Sequence, residues 1–173
     1  NIDNIMDSWY LPAFSSSSGG KFAELGNGDP SITGATLPMG VEYTLTTANP
    51  INIYDSIGSA NATLSFEEFG ARYNDLQAVQ ISLDGISFET IGDNLDYTVT
   101  SQTSGSNPYP NPSVREFNLA PYLGLNPTQV WIRFSWTTNF PTQATDQNVW
   151  TTYGWCIDDV KVFESPDNKL GFN

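Results

Sequence analysis

The sequence predicts an all-β sandwich. Three observations carry that reading. About eight to ten short runs alternate apolar and polar side chains, the period of a half-buried strand. Clusters of Gly, Pro, Asn and Asp separate them at the spacing of sandwich turns. No segment carries an apolar repeat of about 3.6 residues, which argues against an α/β alternative.

A length of 173 residues suits one domain, read here as residues 1–164 followed by a polar tail, 165–173. Aromatics at 13% and charged residues at 14% do not fit disorder. The charge is lopsided, with 19 acids against 6 bases and a net −13. Arg72, Arg115, Arg133, Lys21, Lys161 and Lys169 are scattered along the chain. Phosphate recognition needs clustered bases, so the balance argues against nucleic acid and anionic membrane as partners. No apolar run reaches the length of about 18 residues that a spanning helix needs. Cys156 is the single cysteine and histidine is absent, so there is no internal disulfide and no Cys-based zinc site. The chain begins at Asn1 and is read as a piece of a longer extracellular or particle-surface protein.

The elements follow in order. Residues 1–25 form a leading segment whose Ser/Gly run, Ser15–Gly20, reads as a flexible loop or hairpin tip. Residues 26–40 are dense in turn formers and read as loop. Val41–Thr47 alternates and is rich in β-formers, so it is a strand, and Asn49-Pro50 ends it. Ile51–Tyr54 is a short extended piece. Ala60–Phe69 sets Ala62, Leu64 and Phe66 on one face. Gln77–Leu83 and Ile86–Ile91 flank Asp84-Gly85, a hairpin signal, with Val79, Ile81 and Leu83 on the buried face. Leu95–Thr100 reads as a further strand, and Ser101–Pro112 as a long polar loop. Ser113–Leu119 is a strand, followed by a turn over Ala120–Asn126. Val130–Trp136 points Val130, Ile132, Phe134 and Trp136 inward and Trp131, Arg133 and Ser135 outward. Thr137–Tyr153 reads as loop and Gly154–Phe163 as the closing strand.

That closing strand sets Asp158 and Asp159 in apolar surroundings. Asp158 shares parity with Val160 and Val162, which aims it inward, where it needs a cation, an arginine or backbone N–H donors. Calcium would gather about six to eight oxygens around it. Asp29 and Glu67 or Glu68 are the candidate co-ligands. Without a metal, Asp158 caps a neighbouring loop or pairs with Arg133 or Arg72. Trp131, Trp150 and Tyr109 are the candidate ligand-binding rings, able to stack on the apolar faces of sugars. The opposing reading packs them as core. Trp9, Trp136 and Trp155 read as core, and Cys156 as a small buried hydrophobe. Without histidine, Ser-His-Asp and Cys-His catalysis are excluded. No E-x-D-x-x-E signature lies on any strand and Glu67 and Glu68 point to opposite faces, which leaves open only a carboxylate pair brought together across a cleft.

From residue 60 the succession TLSFEEF, VQISLDGISFETI, VREFNLAPYLG, VWIRFSW and YGWCIDDVKV resembles the jelly-roll family of MAM domains, reelin sub-repeats and bacterial cleaved-adhesin domains. The most specific piece is Gly154-Trp155-x-Ile157-Asp158-Asp159-Val160. The hairpin Ser82-x-Asp84-Gly85-x-Ser87-Phe88 is similar to the family's form, with departures at Ile86 and Phe88, and Cys156 stands where an aromatic is usual. The resemblance implies a two-sheet antiparallel jelly-roll sandwich, a structural calcium ion, and a non-catalytic adhesion or carbohydrate-binding role with a glycan or cell-surface partner. The alternatives are a decoration or fibre domain of a virus particle acting through protein contacts, and a small secreted polysaccharide-degrading enzyme.

Overall fold

The computed structural model describes residues 13–26, 40–53, 62–99, 109–124, 129–140 and 154–164. In chain order they form β1 (Ala23–Leu25), β2 (Glu42–Thr46), β3 (Ile51–Asn52), β4 (Ala62–Gly70), β5 (Asp75–Ser82), β6 (Glu89–Gly92), β7 (Ser113–Asn118), α1 (Ala120–Leu123), β8 (Gln129–Thr138) and β9 (Trp155–Glu164). One sheet has the order β1-β9-β4-β7 and the other β2-β8-β5-β6, with β3 also paired to β8. Every pairing is antiparallel. Successive strands switch sheets at most connections, the winding of a jelly-roll sandwich.

The alternation read from the sequence builds the core between the sheets. Leu64 and Phe66 of β4, Val79 and Ile81 of β5, the four inward residues of β8, and Trp155 and Ile157 of β9 form one cluster. Phe66 sits edge-on to Phe134, with ring centroids 4.9 Å apart, and to Trp155. Each fully buried large side chain contributes about 1.5–3 kcal/mol. Gly92 of β6 has no room for a side chain, because a Cβ there would lie 2.1 Å from the Phe117 ring.

The structure departs from the expected pattern in three places. First, Asp84-Gly85 turns the chain, but the hairpin loop is longer than two residues. Asp84 Oδ1 accepts the N–H groups of Ile86 and Ser87, each at 2.8 Å, and the Ser82 hydroxyl at 2.9 Å. These bonds, Ser87's first, hold its carboxyl down at about 2. The strand therefore stops at Ser82, and Leu83 is 44% exposed rather than core. Second, residues 95–99 form no strand. Asp93 Oδ1 takes the Leu95 N–H, and Tyr97 N–H closes a turn on the Asn94 carbonyl, so local bonds replace a ladder. Third, β9 carries a bulge. Between the pairs Glu67↔Asp158 and Ser65↔Lys161, β9 advances one residue more than β4, and Asp159 takes φ 51°. A bulge reverses the in–out parity. Trp155 and Ile157 face the core before it and Val162 packs on the core after it, while Asp158 shares the outer face with Cys156.

Candidate functional site

The carboxylate that faces inward is thus not Asp158, which is half-exposed on the outer face of the four-stranded sheet. The inward ones are Glu68 and Asp75, on the strands β4 and β5 that lie inside each sheet. Glu68 is fully buried. Its Oε2 accepts Trp155 Nε1–H at 2.9 Å and its Oε1 the Tyr97 hydroxyl at 3.2 Å. Arg115 Nη1 lies 3.6 Å from Oε2, an ion pair longer than a hydrogen bond, while Nη2 donates to the Asp93 carbonyl at 2.8 Å. Asp75 accepts Trp136 Nε1–H at 2.9 Å, Gln77 Nε2–H at 2.8 Å and the Tyr73 N–H at 2.8 Å. Burial raises both carboxyls above their ordinary range, and these donors only partly offset it. In each sheet a tryptophan on the neighbouring strand thus meets a carboxylate without leaving the core.

Tyr109 belongs to this network. It is 6% exposed, its hydroxyl donates to Gln77 Oε1 at 2.6 Å, and its ring packs edge-on against Tyr97. A ring committed on its edge and at its hydroxyl offers no platform, so the ligand-binding expectation for Tyr109 is corrected.

On the outer face, the register pair Glu67↔Asp158 brings two predicted metal ligands side by side, with Asp159 next to them. The Ser/Gly run lies across them as a strap. Ser17 N–H donates to Glu67 Oε2 at 2.7 Å and Ser18 N–H to Asp159 Oδ2 at 3.1 Å. Hydrogen bonds from the Ser16 and Ser18 side chains hold the Asp158 carboxyl below its ordinary value, Ser16's being the larger cause. Asn111 fixes the strap's start, accepting Ser15 N–H and donating to the Ala13 carbonyl, each at 3.0 Å. Phe14 stacks on Phe69 over Cys156, whose thiol burial pushes up to about 12. Each of these carboxylates gives one oxygen to a strap donor and keeps lone pairs besides. No group of three metal-ligating side chains converges among the described residues. By themselves the described carboxylates supply fewer ligands than calcium requires, since it gathers about six to eight oxygens. Asp29 lies outside the described residues, as do Trp150 and Trp9.

The outer face of the five-stranded sheet is different in kind. The register aligns Thr46, Arg133, Gln80 and Thr90 in one row across β2, β8, β5 and β6. Trp131, opposite Ser82, stands two residues along β8 from Arg133. It is half-buried, and one ring face presses on the hairpin turn, where a Cβ on Gly85 would lie 3.1 Å from the indole. Gly85 at φ 73° permits that approach. Arg133 lays its guanidinium on Phe88, with Cζ 3.5 Å from the ring centroid, and its Nε donates to Thr46 Oγ1 at 3.0 Å. The parity of β8 found Trp131 and Arg133 from sequence. Phe88 and Gln80 were missed as site residues, because their role depends on cross-strand register.

No protein-family model matches the chain, and no curated protein matches it in sequence.

Proposed function

We propose that this domain is a non-catalytic binding module of an extracellular protein, taking a glycan on the outer face of the five-stranded sheet. One observation carries the reading. Trp131 stands half-buried beside a row of hydroxyl and amide side chains, Thr46, Gln80 and Thr90, which suits the apolar faces and hydroxyl edges of sugar rings. The carboxylates support a non-catalytic role, since Glu68 and Asp75 are sealed in the core and Glu67, Asp158 and Asp159 are engaged by the strap. The MAM-like resemblance is part of this proposal, and calcium carries no step of it.

The test is affinity electrophoresis or calorimetry against a panel of soluble polysaccharides. At least one should bind, and W131A should weaken it about tenfold or more, the loss of one stacked ring. Silence across the panel would end the reading.

A second reading, a particle-surface domain working through protein contacts, rests on the exposed apolar tip of the β5–β6 hairpin. Ile86 is 84% exposed beside Leu83. Under that reading I86D, not W131A, abolishes binding to the partner surface, measured by co-sedimentation.

A further inference from the structure

Of the chain's three arginines, two are spent inside the fold. Arg72 donates to the carbonyls of Leu95 and Tyr97, and Arg115 serves Glu68 and the Asp93 carbonyl. Arg133 is held differently. Thr46 binds its Nε and Phe88 supports its flat face, yet no hydrogen bond or ion pair among the described residues engages its two terminal amino groups. An acceptor stands close by and is not used. Gln80, its cross-strand neighbour, has an Oε1 without a donor, but the guanidinium stays flat on Phe88. The fork is thus fixed in plane and direction before any ligand arrives, which removes much of the ordering cost of binding.

With Nε taken by Thr46, the end of the fork keeps two parallel N–H bonds, one from each terminal nitrogen, complementary to a planar carboxylate gripped by two hydrogen bonds. Trp131 projects from the same face of the same strand, about 7 Å away by strand rise, so a sugar chain lying along the strand reaches both. We propose that this face takes a carboxylate-bearing sugar, a uronic acid residue of an acidic polysaccharide. Arg133 grips its carboxylate, Trp131 carries the adjoining ring, and Thr46 and Thr90 meet hydroxyls. This rests on the glycan-binding reading and names its ligand class. The net charge of −13 sharpens the point. A strongly acidic protein draws no polyanion by diffuse attraction, so a preference for acidic sugars must come from this one contact.

The experiment is isothermal titration calorimetry at about 0.15 M salt, where the Debye length is about 8 Å. The probes are oligomers of galacturonate, mannuronate and glucuronate, each with its carboxyl-reduced counterpart and one sulfated neutral oligomer. At least one acid form should bind about tenfold or more tightly than its reduced form, the worth of a good charge-assisted contact. R133Q should erase that preference, and R133K, which keeps the charge but not the fork, should restore only part of it. W131A should weaken acid and reduced forms alike. Circular dichroism melts confirm that each variant is folded. Equal binding of acid and reduced forms, a preference that survives R133Q, or selective binding of the sulfated oligomer would each overturn the assignment and leave glycan binding standing. No binding of any oligomer would overturn both.

Discussion

Glu68 and Asp75 are the residues on which the interior turns. Each sits where an apolar side chain would pack, and each is held by indole, hydroxyl or amide donors. Burial is the main cause of their raised pKa values. A raised folded-state value means that the native protein holds these protons more tightly than the unfolded chain. Stability from these groups is therefore fully present below the unfolded carboxylate value, about 4, and is lost as pH rises through the folded values. Asp84 and Asp158 shift the other way, and stability from them is lost as pH falls through their lowered folded values. The comparison with variants isolates the buried pair. In E68Q and D75N the fall in urea midpoint above about pH 4 should flatten relative to wild type. A parallel profile would show that neither group drives the dependence. W155F removes one donor from Glu68 in a site that water does not reach, and should cost about 1–3 kcal/mol in urea titration. Sequence parity placed Glu67 and Glu68 on opposite faces and left one or the other as the candidate co-ligand. Even parity with Ala62, Leu64 and Phe66 already points Glu68 inward, but the partners that seal it, Trp155 and Arg115, arrive from other strands and are set by register.

At the scale of elements, β9 and the serine strap decide where Asp158 points and what meets it. The apolar positions of β9 change phase in the sequence, odd at Trp155 and Ile157 and even at Val160 and Val162. Reading the later phase back aims Asp158 inward, whereas the bulge at Asp159 is where the phase shifts. No glycine marks the place, since aspartate tolerates the left-handed region. The cross-strand pairing of Glu67 with Asp158 was within reach of the strand pattern. That the Ser/Gly run would lie across these acids was not, because such runs read as linkers. The bulge is testable. D159N keeps an acceptor for Ser18 N–H and tolerates positive φ, so it should change stability by less than about 0.5 kcal/mol. D159V puts a β-branched residue at φ 51° and removes the acceptor, and should cost roughly 2 kcal/mol or more. Equal stabilities would mean that the bulge relocates. The strap has its own measure. E67Q weakens a charge-assisted bond, so the Ser17 amide should exchange with deuterium several-fold faster while core amides keep their protection.

For the whole molecule, the sandwich was legible because half-buried strands impose period two and β4, β5 and β8 keep it over most of their length. The site was legible only in part. Parity gives the face of Trp131 and Arg133, but register gives their neighbours, and a single sequence does not fix register across strands separated by 40 residues or more, as the pair Gln80↔Arg133 is. Charge acts at this scale too. With 19 acids against 6 bases, self-repulsion favours the expanded chain, and salt relieves it. Thermal melts in sodium chloride from about 0.01 to 0.15 M should move upward as the Debye length shrinks from about 30 to 8 Å. Each kcal/mol of relieved repulsion raises Tm by about 2–4 °C in a chain of this size. The same series in calcium chloride at matched ionic strength separates screening from binding. With Glu67 and Asp159 tied to backbone N–H groups, matched series are expected to coincide near physiological strength. An extra rise in calcium, lost in chelator and in D158N, would show that ligands beyond the described residues complete a site with Asp158. A Tm that ignores both salts would show that the acids are paired locally and that net charge has no hold on the fold.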